Sequence, residues 1–313
     1  MGKQDDIRHG ITQRIMESLN QGQRPWVRPW SNSPNGGWPT AIGTNKAYRG
    51  INPLLLNFTM MTRGYVHKWW GTFNQWKKMG CNVKKRPDDV KAGEWGTGIV
   101  YWQFVESKEL DDKGKAKRFP MLRAYTVFNI EQVDDTDGKL AKYMIDKTHE
   151  CHPDYTVAQE VVDATKASIS FGANRACYVL PNPYGDWPNH KVGDLIQMPA
   201  QGQFVKLADF YYTMFHELGH WSEVRTGWKE EKYAMNELVA EMTACFLAQA
   251  CSIPESDDLT NHTPYLQHWL KAMGGDDRFI LRAASQASKA ADHILQYSGR
   301  SATHEEETEA QAA

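Results

Sequence analysis

The sequence has no long apolar run. Nothing in its 313 residues approaches the roughly 20 consecutive apolar positions needed to cross a bilayer. The opening MGKQDDIRHGITQRIMESL also lacks the apolar core of a signal peptide and reads instead as an amphipathic helix, with Ile7, Ile11, Ile15 and Leu19 on one face. Cysteine is scarce: Cys81, Cys151, Cys177, Cys245 and Cys251 are odd in number, scattered and without a C-x-x-C pair. That excludes a disulfide framework or a thiolate zinc site and favours a reducing, cytoplasmic setting. There is no internal repeat, helix-turn-helix pattern or zinc-finger spacing. What remains, 41% hydrophobic and 24% charged, is the composition of a globular protein with room for two domains.

The net charge of −2 hides an asymmetry. Residues 1–130 carry 21 Lys and Arg against 10 Asp and Glu, a net of +11, and the remainder carries 15 against 28, a net of −13. A basic half of this kind points to nucleic acid or an anionic surface, the alternative being a merely solvated basic face. Tryptophan argues for the first. Eight of the 12 Trp fall in the basic half, several beside cations, as in RPWVRPW and HKWWGTFNQWKKMGCNVKKR. Single-stranded nucleic acid is held by cations that track phosphates and rings that stack on bases, each stack worth ~1–3 kcal/mol. Two X-Pro steps hold RPWVRPW extended, outside helical or strand periodicity. Trp26, Trp30, Trp69, Trp70 and Trp76 are therefore expected to include ligand-facing rings, whereas Trp102 and Phe128, in alternating strands, are expected in the core. Trp95, between turn glycines, fits either role.

The order of elements predicts an α+β protein of two domains. A basic α+β domain with an antiparallel sheet is expected over residues 1–133, with helices at NPLLLNFTMMTRG (capped by Asn52) and GTFNQWKKMG and strands at CNVKK, GTGIVYWQFVES and FPMLRAYTVFNIEQV. The turn-rich DDTDGK places a linker over 134–150. A mainly helical domain with a small sheet is expected over 151–300, with strands at SISFG, ACYVLP and DLIQMP, and a disordered acidic tail over 301–313.

The acidic half contains FYYTMFHELGHWSEV. His216 and His220 lie at i and i+4, one turn apart on one helix face, so both imidazoles can reach one ion while Glu217 holds and deprotonates a water. From the composition, only about 0.02 chance matches to H-E-x-x-H are expected. A catalytic zinc needs a third protein ligand, and the downstream spacing excludes a third His of the metzincin kind. The helix that follows offers Glu237 and Glu241 among apolar residues, where an unpartnered carboxylate would be costly. One can ligate one zinc ion per chain, or another divalent metal, and the other can receive the N–H of a ligand histidine. We expect Glu237 as the ligand, since NE followed four residues later by an acid resembles the ligand helix of thermolysin-like gluzincins. Tyr233, just before that helix, is a possible donor to an oxyanion.

The ordered set PWVRPW, YRGINPLLL, GTFNQWKKMGCNVKK, AYTVFNIEQ, DLIQMP and FHELGHW resembles the ArdC family of plasmid and phage antirestriction proteins, from about Arg8 to Ala248. The resemblance implies an N-terminal domain that binds single-stranded DNA and a C-terminal zincin-like metallopeptidase domain, in proteins that protect incoming DNA from host restriction. It assigns Trp26, Arg28 and Trp30, together with Trp69, Trp70, Trp76, Lys77, Lys78, Lys84, Lys85 and Arg86, to the DNA surface. It assigns His216 and His220 to the metal and Glu217 to catalysis, with a host restriction enzyme or another protein as possible substrate. The insertion PNPYGDWPNHKVG departs from the family pattern and bears on access to the site. The contrasting expectation is a non-catalytic DNA-binding protein whose metal is structural.

Overall fold

Ile11, Ile15 and Leu19 recur at helical spacing, and all three are buried along one side of α1 (Lys3–Asn20). The structure, a computed structural model, describes residues 3–21, 38–110, 116–144, 155–180, 193–228, 233–253 and 263–300. The apolar face of α1 meets the C-terminal half of the chain. Thr12 Oγ1 donates to the Asp277 carbonyl at 3.1 Å, and the His9 ring lies 3.2 Å from the Asp277 carboxylate.

Two very short strands, β1 (Thr40–Ala41) and β2 (Lys46–Ala47), precede helix α2 (Asn52–Arg63). Strand β3 (Trp69–Thr72) runs directly into helix α3 (Phe73–Lys78), which is closed at its start by a capping box between Thr72 and Gln75. After β4 (Asn82–Val83) come the two long strands β5 (Thr97–Leu110) and β6 (Ala116–Asn129), and then β7 (Val133–Asp134). The main sheet has the order β2-β1-β3-β6-β5. It is antiparallel except where β1 runs parallel to β3, a departure from the wholly antiparallel sheet expected.

The β5–β6 pair is covered on both sides. Ile99, Tyr101 and Val127 pack with Leu56, Met60, Tyr65 and Trp70, while Val100 and Leu122 point into the cluster containing α1. Asn52 does not cap α2 as expected. Ile51 takes that place without a side-chain hydrogen bond, and the Asn52 amide extends the sheet by exchanging two bonds with the Val100 backbone, at 2.8 and 2.9 Å.

Helix α4 (Tyr155–Ala164) and strands β8 (Ser168–Phe171), β9 (Cys177–Val179) and β10 (Leu195–Met198) open the second half. The small sheet has the order β8-β10-β9, which leaves β9 at an edge. Four helices follow: α5 (Leu207–Glu223), α6 (Tyr233–Ala250), α7 (Thr263–Gly275) and α8 (Phe279–Tyr297). The protein is thus α+β, with a sheet-containing N-terminal domain and a mainly helical C-terminal domain. Among the described residues no helix is long and apolar enough to cross a membrane.

One continuous core joins the two halves. Ile11, Ile15, Leu19, Leu54, Leu55, Val100 and Leu122 belong to the same cluster as Phe215, Trp221, Phe246 and Phe279. Trp38 packs edge-on against Phe246, with ring centroids 4.8 Å apart. An Arg49–Asp292 ion pair and a 2.9 Å bond from the Gly50 N–H to Ser288 Oγ reinforce the junction. Residues 134–144, expected as linker, are folded instead. β7 pairs with β4, Asp135 accepts the N–H groups of Lys139 and Leu140, and Leu140 is fully buried. Apolar Leu140 and Tyr143 draw this stretch onto the N-terminal domain despite its turn-rich composition. The rest of that linker, the 181–192 part of the insertion and the acidic tail lie outside the described residues.

Glu131 ties the start of β3 to the residues after β6. Its carboxylate accepts the backbone N–H groups of Val66 and His67, at 2.6 and 3.0 Å, and meets the His67 ring at 2.9 Å. Burial works to raise the Glu131 pKa, but the bonds from His67 and Val66 outweigh it and leave it below the usual carboxylate value. A depressed folded pKa stabilises the protein above the unfolded pKa, and that stability is lost as pH falls through the folded one. Glu131→Gln is therefore expected to cost ~1.5–3 kcal/mol at neutral pH. In urea unfolding, the gap between variant and wild type should close as pH drops below that of a free glutamate. A gap independent of pH would show that charge at Glu131 is immaterial.

Candidate functional site

Helix α5 carries Phe210, Met214, Phe215, Leu218 and Trp221 toward the core, which orients His216, Glu217 and His220 toward a cleft of about 830 Å³. Helix α6 supplies Glu237 from the facing side. The two helices approach closely because residue 219 is glycine: a Cβ there would lie 2.9 Å from the Ala240 Cα. No larger residue fits without moving one helix.

His216 Nε2 and His220 Nε2 are 3.2 Å apart, and each lies 3.6 Å from a different oxygen of Glu237. Donor atoms of His216, His220 and Glu237 all fall within 4.8 Å of one another. Each imidazole has a carboxylate behind it. Glu241, fully buried, lies 3.7 Å from His216 Nδ1, and Glu223 Oε1 lies 2.8 Å from His220 Nδ1. Tyr212 steadies Glu241 by donating to its Oε1 at 3.2 Å. Two imidazole nitrogens and one carboxylate oxygen, with the rear nitrogens engaged by acids, are the donor set a zinc or similar divalent ion takes in an open site. The residues present fit such an ion.

Electrostatics agree with the geometry. Burial opposes a charged His216, but Glu237 and Glu241 outweigh it and raise its pKa to about 10. Burial likewise favours a neutral Glu237, but His216 and His220 hold its pKa below the usual value. Glu217 is buried and its pKa is raised, chiefly by that burial, although the Tyr178 backbone N–H donates to it. A carboxylate with a raised pKa beside two imidazoles is equipped to take up and release a proton.

The Tyr178 bond places the edge strand β9 along the cleft. β9 pairs with β10 on one side, and Tyr178 turns its backbone N–H toward Glu217 on the other. Its hydroxyl donates to Asp194 Oδ1 at 2.9 Å, and Arg225 Nη2 donates to Asp194 Oδ2 at 2.6 Å, so the strand is pinned to the end of α5. Tyr233 lines the cleft, 64% exposed, and its hydroxyl bonds the Glu237 carboxylate. Glu223 is absent from the residues expected at the site, although a carboxylate three residues after the second His is a signal for such a partner.

The expected DNA residues are scattered by the fold. Trp70 and Trp76 are fully buried, Trp70 in the cluster against the main sheet and Trp76 beneath α3 with Nε1 donating to the Phe128 carbonyl. Neither ring can stack on a base, and the ~3–5 kcal/mol that such a cavity would cost explains why they stay inside. Trp69 is half-buried, and Lys77, Lys78, Lys84, Lys85 and Arg86 are exposed. Lys84 donates to the Glu131 carbonyl, and Arg86 to the carbonyls of Pro87 and Val90. Trp102, expected in the core, is instead 43% exposed: it shares the strand face of Val100, but α1 meets its ring with the Arg8 guanidinium, 5.8 Å from the ring centroid, a polar cover that leaves the ring open to water. Phe128 is half-buried as part of the cluster under α3. Trp26, Arg28 and Trp30 lie outside the described residues.

Comparison with known proteins adds independent information. Residues 5–128 match a family model described as the N-terminal domain of anti-restriction factor ArdC, and residues 156–286 match one described as a zincin-like metallopeptidase. An Escherichia coli protein named DNA primase TraC is 28% identical over 314 aligned residues, covering 92% of this chain and 27% of that protein. A Sinorhizobium fredii protein described only as uncharacterized is 26% identical, covering 92% of this chain and 91% of its own length. The chain thus spans about a quarter of the E. coli relative. Among solved structures, the metal-free antirestriction ArdC protein from plasmid R388 superposes with a TM-score of 0.72 at 30% identity, covering 94% of this chain and 98% of that one. The Mn(II)-bound form of that protein gives 0.69 at 30% identity, covering 93% and 97%.

Proposed function

The chain belongs to the ArdC antirestriction family and carries a zincin-like domain, and from this premise we propose that it protects entering plasmid or phage DNA by binding single strands through its basic half and hydrolysing a nearby protein in its acidic half. The observation that carries the hydrolytic part is the convergence of His216, His220 and Glu237 beside Glu217 on one cleft. The DNA part is supported by the N-terminal family match and by the positive charge of residues 1–130.

His216, His220 and Glu237 would hold one divalent ion, zinc by the donor set, with Glu223 and Glu241 fixing the two imidazoles. When bound, such an ion polarises a peptide carbonyl and lowers the pKa of water. Glu217 is the group that takes up the water proton at its carboxylate and returns it to the leaving amine. The edge strand β9 offers backbone groups along which an extended peptide would lie as an added strand. The Tyr233 hydroxyl, now on Glu237, is the donor in the cleft for a developing oxyanion. The substrate would be a host protein that meets the entering strand, a restriction enzyme being one such protein.

A second reading rests on the shared core. Because α1 and Trp38 pack into the C-terminal helices, a metal that stabilised those helices would stabilise the DNA-binding half too, without any hydrolysis. Transfer of unmodified plasmid into a restricting host separates the two. If Glu217→Gln is expressed and loads metal yet no longer protects, hydrolysis is part of protection. Protection equal to wild type would make the metal structural and binding the mechanism.

A further inference from the structure

Among the described residues, most cation–ring pairs in the basic half are isolated, including Arg8 over Trp102, Arg14 over Phe58 and Arg63 over Trp95. One set is continuous. Lys68 Nζ lies 5.0 Å from the Trp69 ring centroid, the Trp69 and Tyr143 rings meet edge to face with centroids 5.1 Å apart and 68° between their planes, and Lys142 Nζ lies 4.9 Å from the Tyr143 centroid. The order cation, ring, ring, cation thus runs across two segments more than 70 residues apart in sequence.

Building on the single-stranded-DNA reading above, we propose that Lys68, Trp69, Tyr143 and Lys142 form a stacking platform for single-stranded nucleic acid. The rings are half-buried, packed against the cluster that holds Trp76 and Leu140, and each carries one lysine ammonium. The acids on the neighbouring segments have partners of their own. Glu131 is engaged by Val66 and His67, Asp135 by the Lys139 and Leu140 amides, and Asp137 by Lys139. The positive charge of the patch comes from the Lys68 and Lys142 ammonium groups on the two rings.

Magnitudes favour exchange. An ammonium resting on an exposed ring contributes ~0.5–1 kcal/mol, whereas a base stacked on that ring contributes ~1–3 kcal/mol and frees the ammonium to meet the adjacent phosphate, releasing counterions. A folded peptide offers these four groups no comparable combination of flat faces and regularly spaced negative charge. The platform also gives residues 138–144 a purpose beyond connecting two domains.

The test is fluorescence anisotropy with labelled oligothymidylate, on the full chain, over a range of salt concentrations. Tyr143→Leu, which keeps an apolar contact with Trp69, is expected to weaken binding ~5- to 150-fold. The double change Lys68→Ser with Lys142→Ser is expected to flatten the slope of log affinity against log salt by ~1.4, two phosphates at ~0.7 each. Lys289→Glu, on the exposed side of α8, controls for net charge and should leave the slope nearly unchanged. If wild type binds and both the Tyr143 and the double-lysine variants match it in affinity and slope, the platform is wrong while the DNA reading stands. If wild type binds no single strand at all, the DNA reading falls and takes the platform with it. Should Tyr143→Leu melt well below wild type, the double-lysine variant alone decides.

Discussion

Glu237→Gln is expected to lower the affinity for zinc by more than ~100-fold, while Glu241→Gln and Glu223→Gln each lower it by ~10- to 100-fold, the range for residues that orient a metal-binding histidine. The physical reason is distance and direction. Both histidine Nε2 atoms face Glu237, each 3.6 Å from one of its oxygens, whereas Glu241 and Glu223 approach the Nδ1 atoms from behind. Competition against a chromogenic chelator reads all three variants in one experiment, without a substrate. A larger loss at Glu241 than at Glu237 would exchange their roles.

The second large effect is expected at Gly219, which touches no ligand. Gly219→Ala places a methyl group 2.9 Å from the Ala240 Cα and 3.3 Å from its Cβ and carbonyl oxygen, so α5 and α6 must separate. Overpacking of this kind costs ~1–3 kcal/mol. Because the same helix spacing sets the distance from His216 and His220 to Glu237, zinc affinity should fall together with stability. Gly10→Ala makes the contrast. Gly10 lies inside α1, and a Cβ added there would meet nothing within 4 Å, so the same substitution should stabilise by up to ~1 kcal/mol. Thermal unfolding with and without added zinc measures both variants. A Gly219→Ala protein as stable as wild type would show that the helices are free to part and that their contact does not set the site.

Much of the site could be read locally. His216, Glu217 and His220 share a face because a helix turns every 3.6 residues, and the apolar residues between them set that helix against a core. The same periodicity gives Ile11, Ile15 and Leu19 their common side on α1. The charge split and the tryptophan bias of residues 1–130 are likewise properties of the chain alone.

Which rings and acids meet which partners was settled by distant contacts. Trp69 and Trp70 are neighbours in sequence, but alternation in β3 sends Trp70 into the core against the sheet and leaves Trp69 beside Tyr143. Trp76 is buried because α3 lays it under the Phe128 carbonyl, and Trp102 is exposed because the α1 group that meets its ring is the Arg8 guanidinium. Glu237 and Glu241 occupy one helix one turn apart, and periodicity alone ranks neither. What sets them apart is the close approach of α5 to α6 at Gly219, which aims the two Nε2 atoms at Glu237 and an Nδ1 at Glu241. Periodic patterns set the faces that local residues share, because backbone geometry repeats along each element. The partner of each face depends on which distant segment packs against it, and only the completed core decides that.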